Sequence, residues 1–206
     1  MSRPGNPPEN PPRRTAVDRN RPRFGRVALI GNFRTRRSSI RKASCSITSL
    51  KDIFLHQLKD IYFAERRRVD ELPKISAMPK GPELHDAFER HLAETRQHVE
   101  QLRRVFASIK VPPIGEKCGA LEGILEESES LLAQIEDDAT RDVALLASAQ
   151  AVEHYEISRY GTLITWAEDL GFGEAAKILR ENMKEEKQAD RHLSEIASMG
   201  LNKKAA

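Results

Sequence analysis

The chain is short of what builds β-rich, disulfide-held or membrane-embedded proteins. Aromatic residues make up only 5% of its 206 positions, with a single Trp. Its two cysteines, Cys45 and Cys118, have neither metal-pair spacing nor the number a disulfide framework needs. Two unpaired thiols fit a reducing compartment, so a cytoplasmic location is expected. No apolar run reaches the ~18 residues of a membrane-spanning helix, so no membrane partner is expected. No segment alternates apolar and polar residues with period two over a useful length, which argues against strands. Proline is concentrated early, with six of the eleven before residue 45.

A net charge of one sign is also nearly absent, at +3, but that balance hides a split. Residues 1–44 hold eleven Arg and one Lys against Glu9 and Asp18, a balance of +10, which leaves −7 for the remainder. With 4-PGNPPENPPRR-14 at its start and little apolar periodicity, residues 1–47 read as a disordered basic tail. Such a tail fits a solvated extension, read-through from an upstream start codon, a targeting segment, or a polyanion or nucleic-acid contact through residues 1–44. Its apolar stretch, 27-VALIGNF-33, is too short for a secretory leader.

The rest of the chain is helical in pattern. Residues 48–200 read as one bundle domain and 201–206 as a short C-terminal tail. Leu50, Ile53, Phe54, Leu58, Ile61, Tyr62, Val69 and Leu72 recur at helical spacing after N-cap candidates at Ser46 to Ser49. Pro73 is expected to kink or end that helix, and Pro82 to start the next. The second helix carries Leu84, Phe88, Leu92, Val99, Leu102 and Phe106. A shorter acidic helix over 119–136 reads as a connector. Asp137 or Asp138 caps a long fourth helix that ends near Gly171, and a fifth runs from Gly173 to Gly200. The fold class is therefore all-α, an antiparallel four-helix bundle with a short additional connecting helix.

Each long helix also turns an acid toward its apolar stripe near mid-length: Glu65, Glu94, Glu153 and Glu186. One such Glu normally sits solvated at a stripe's edge. Four at one level of a bundle repel strongly in a low dielectric unless cations neutralise them. Carboxylates with imidazole form a ligand set for iron, manganese or zinc. The ferritin-like di-iron pattern uses single Glu residues on two helices and Glu-x-x-His on the other two. Here Glu65 and Glu153 fit the single acids, and Glu94 and Glu186 the acids of the paired motifs. Their companions His98 and Asp190 come at i+4, with Gln97 and Ala189 at i+3. Glu156, one turn after Glu153, adds a carboxylate, and Tyr160 a nearby phenol. The candidate ligands of two divalent or trivalent ions are thus Glu65, Glu94, His98, Glu153, Glu156, Glu186 and Asp190. His91 is left between a supporting partner and a core histidine, and His154 and His192 read as surface residues.

Five stretches carry a resemblance: 50-LKDIFLHQLKDIYFAERR-67, 88-FERHLAETRQHVEQL-102, 116-EKCGALEGILEE-127, 150-QAVEHYEISRYGTL-163 and 183-MKEEKQADRHL-193. In this order, across about residues 48 to 199, they resemble the YciF-like stress-protein family of the ferritin-like superfamily. The resemblance implies an antiparallel helical bundle, a homodimer, a candidate di-metal centre and a link to bacterial stress responses. The expected functions are a di-metal oxidoreductase acting on O2 or peroxide, a non-catalytic dimeric scaffold, or a protective protein held on DNA by the basic tail.

Overall fold

The structure, a computed structural model, describes residues 46–206; the basic tail over residues 1–44, and Cys45, lie outside the described residues. Five helices carry the fold: α1 (Leu50–Ser76), α2 (Pro82–Ser108), α3 (Gly119–Leu132), α4 (Asp138–Asp169) and α5 (Gly173–Ile196). No strand occurs among the described residues.

The helix ends follow local chemistry. Ser49 caps α1 by accepting from Asp52 N at 3.1 Å. Asp137 caps α4 by accepting from Thr140 N at 2.7 Å. Gly171 takes the left-handed conformation that ends α4 (φ +72°). Pro82 opens α2. Pro73 does not end α1, which continues for three more residues to Ser76. The path also continues beyond Gly200. A π-helical turn, Ala197–Leu201, leads into a short helix α6 (Asn202–Lys204), and Leu201 is buried.

Helices α1, α2, α5 and α4 neighbour one another in that cyclic order, and α3 packs against α4. Side-chain pairs fix the directions. Along α1, Gln57 meets Arg159 and Arg68 meets Glu153, so α4 runs antiparallel to α1. Tyr160 meets Asn182 and Gln150 meets Ser194, so α5 runs antiparallel to α4. The loop after α2 and helix α3 carry the chain back along the bundle's length, which lets α4 start at the same end as α2.

The α1–α2 turn is pinned from across the bundle. Buried Asp142 on α4 accepts from Lys80 N at 3.1 Å and from Gly81 N at 3.0 Å, in place of a side-chain cap on α2. Asp142→Ala leaves those N–H groups unpaired, and is expected to lower stability by about 1–3 kcal/mol in urea denaturation. A loss under ~0.5 kcal/mol would rule out this role.

The apolar core comes in two parts. One holds Phe54, Leu58, Leu102, Phe106, Leu163 and Leu179, and the other Leu84, Phe88, Leu145, Leu146, Leu193 and Ile196. Along α2 and α5 the stretches between those parts are 91–98 and 182–186, and there the bundle turns polar.

Candidate metal centre

This belt is assembled from one turn or two of each long helix. On α1, Glu65 and Arg68 are one turn apart and point inward together, both buried. On α2, His91 and His98 are buried seven residues apart. Helix α4 supplies Glu153, Glu156 and Tyr160, and α5 supplies Asn182 and Glu186, all buried.

The donors fall into two groups. His91, Glu153, Glu156 and Glu186 each offer one ligand atom, and these atoms lie within 4.8 Å of one another. Glu65, His98 and Glu186 form a second group under the same limit. Glu186 belongs to both.

The polar atoms at the heart of the belt have few hydrogen-bond partners. Both oxygens of Glu156 and of Glu186, Oε2 of Glu65 and of Glu153, Nε2 of His91 and Nδ1 of His98 have none. Several approach one another without hydrogen-bond alignment: His98 Nδ1 lies 2.8 Å from Glu186 Oε1, and His91 Nε2 3.2 Å from Glu153 Oε1. Buried polar groups are normally paired. Eight convergent orphan atoms of carboxylate and imidazole type are a donor set that could hold a metal ion.

Each histidine is held from outside by a half-exposed carboxylate. His91 Nδ1 lies 3.4 Å from Glu94 Oε2, and His98 Nε2 lies 2.8 Å from Glu185 Oε2. The two acids have side chains 29% and 30% exposed. With an N–H donated outward, loss of the second ring proton to a cation would leave the inward nitrogen's lone pair facing the belt, the arrangement that prepares an imidazole for a metal. On the Glu65 side, Tyr160 OH donates to Glu65 Oε1 and Asn182 Nδ2 donates to Tyr160 OH at 2.9 Å.

Of the seven residues expected from sequence, five meet here: Glu65, His98, Glu153, Glu156 and Glu186. Glu94 stands at the rim against His91. Asp190 lies on the α4–α5 surface, accepting from Gln150 Nε2 at 3.0 Å, with His154 Nε2 3.1 Å away. Sequence reasoning left His91 undecided and missed Arg68 and Glu185. Arg68 Nη2 donates to Glu153 Oε1 at 3.3 Å.

The crowding sets the electrostatics. Burial, then the charges of Glu65 and Glu153, push the Glu156 carboxyl well above its ordinary range. Burial, Glu153 and Glu156 do the same to Glu186. Burial opposes the Glu153 carboxylate, yet His91, the close Glu186 carboxyl and Arg68 hold its pKa down. For His98 burial disfavours the imidazolium, but the Glu65 charge, the hydrogen bond with Glu185 and the close Glu186 carboxyl raise its pKa far above normal.

These shifts give stability a definite dependence on pH. Glu156 and Glu186 bind protons more tightly in the folded protein than at their unfolded value near 4.5. Their contribution to metal-free stability is complete below that value and is lost as pH rises through the raised ones. His98 acts in the same direction, while Glu153 opposes it only in acid. A cation held here would displace these protons, so its affinity would rise with pH. Melting curves across the neutral range should show the metal-free protein weakening as pH rises and Mn2+ giving a growing upward shift. A shift that shrinks with pH would contradict the assignment.

The family described as "Domain of unknown function (DUF892)" matches residues 49–206. Protein YciF of Escherichia coli (strain K12) is 40% identical over 163 residues, 78% of this chain and 97% of that protein. The crystal structure of the E. coli stress protein YciF matches with a TM-score of 0.72 at 40% identity, over 76% of this chain and 99% of that one. YcfI of Rhodopseudomonas palustris gives 0.72 and 40%, over 73% and 96% of the two chains. A Xanthomonas campestris protein with 22% identity and a TM-score of 0.53 shares the fold, over 77% of this chain and all of that one.

Proposed function

The chain belongs to the DUF892 family, in which it is a homologue of the stress protein YciF, and from that premise we propose that it is a ferritin-like stress-response protein holding a carboxylate-bridged pair of metal ions. The observation that carries this reading is Glu186, shared by two buried donor groups whose facing atoms have no other partner. His91, Glu153 and Glu156 would hold one ion, Glu65 and His98 the other, and Glu186 both. Iron is the first candidate and manganese the second. Either would supply one-electron chemistry toward O2 or peroxide.

The chain's own groups have separate tasks. Glu94 and Glu185 orient the two imidazoles. Arg68 offsets one of the four buried acids. Tyr160, whose pKa burial and then the charges of Glu65 and Glu186 raise well above normal, keeps its proton beside Glu65. Protein reconstituted with Fe(II) or Mn(II) and desalted should hold two ions per chain and consume peroxide faster than the free ion. Less than one ion per chain overturns the reading.

A second reading, a non-catalytic scaffold stabilised by its ions, draws support from YcfI, whose description gives it a candidate structural role. Bound ions without turnover would favour it. The homodimer belongs to both readings and is tested by light scattering. A polyanion contact through residues 1–44 rests on their +10 charge. Deleting them should abolish salt-sensitive DNA retention.

A further inference from the structure

Resting on the proposed ion pair, we infer that the two ion positions are inequivalent: the one at His91, Glu153 and Glu156 exchanges and meets small solutes through a cleft between α2 and α5, while the one at Glu65 and His98 is closed. A cavity of about 370 Å3 opens between those helices. His91 and Glu153 form its inner end, both buried and each with an unpartnered atom, Nε2 and Oε2. Phe88, Ala87, Ala189 and Leu193 form its walls. The lining also holds Arg90 and Arg191 together with Glu94 and Glu195, two charges of each sign, so the cleft selects by size more than by charge.

Glu65, His98 and Tyr160 do not line this cleft. Their side is shut by the fully buried chain Asn182, Tyr160 and Glu65, and His98 Nε2 is covered by Glu185. A second cavity of about 150 Å3, between α1, α3 and α4, approaches from elsewhere but ends on Arg68, whose charge repels cations. Glu94 is the half-exposed carboxylate on the open route. It can take an incoming cation before His91 and Glu153 do, and so relays ions between solvent and the open position.

The test is metal release. Wild-type protein loaded with Mn(II), desalted and mixed with excess chelator should lose its ions in two phases of equal amplitude, followed by EPR. Ala189→Phe narrows the cleft. It should keep two ions at equilibrium and slow only the fast phase, about tenfold for a barrier raised by ~1.4 kcal/mol. Gln188→Trp, at an exposed rim position where added bulk disturbs no packing, should repeat the effect. Ser128→Trp, which lines the second cavity, should leave both phases unchanged. A single release phase in wild type overturns the inference. So does a fast phase slowed by Ser128→Trp, or one untouched by both cleft variants. Wild-type protein that binds less than one ion instead defeats the ion pair itself, a separate result read before any release.

Discussion

Arg68→Met is expected to destabilise the metal-free protein by about 3–5 kcal/mol, because it strands buried carboxylates without their cation. Arg68 is 1% exposed, and it is the only Lys or Arg buried among the described residues. Its guanidinium donates to Glu153, whose depressed pKa marks a carboxylate that stays charged. Met keeps most of the side-chain volume, so the loss reports charge and not packing. Added Mn2+ should offset it, by about 2.7 kcal/mol for each ion bound at a hundredfold excess over its Kd. Urea denaturation with and without metal measures both. A loss below ~1 kcal/mol would mean that the buried acids are already neutral and Arg68 is dispensable.

The second substitution should act in the opposite direction. Glu156→Met is expected to stabilise the metal-free protein by about 1–4 kcal/mol, as when buried ionic groups give way to apolar ones. Neither Glu156 oxygen has a hydrogen-bond partner, and its neighbours Glu65 and Glu153 repel its charge. The same change removes a donor from the group with His91 and Glu153, so ion content should fall by one per chain. Calorimetry and elemental analysis of a single preparation would test both halves. A variant that is less stable when metal-free would show that Glu156 has a structural role. One that keeps its full ion content would show that it is not a ligand.

The fold was legible because each long helix keeps an apolar stripe, with Ser49, Asp137, Pro82 and Gly171 marking ends. Glu65, His98, Glu153, Glu156 and Glu186 were legible as polar residues in those stripes. The rest turned on rotation about a helix axis. On α2 the residues seven apart, His91 and His98, return to the same face within about 20°. Glu94, between them, is rotated to the rim. Asp190 sits about 40° on from Glu186, enough to carry it to Gln150 and His154 on the surface. Arg68 ends a run of three arginines, 66-RRR-68, and composition alone does not say which of them turns inward. Glu185 and Glu186 are adjacent and identical; they differ only in facing the outer nitrogen of His98 or the heart of the belt.

The polar belt also divides the molecule's resistance to local opening. The clusters containing Phe54 with Phe106 and Leu84 with Ile196 each close one end of the bundle, and across the middle the helices are joined by a few hydrogen bonds among buried carboxyl and imidazole groups with unpartnered atoms. Amide hydrogens of the mid-helix turns around Glu65, Thr95, Glu153 and Glu186 should therefore exchange by openings that leave both ends intact. Cations bound to Glu186 and its neighbours would act as a clasp across all four helices. They would merge two half-cores into one cooperative unit, and amide exchange at mid-bundle would then report metal occupancy.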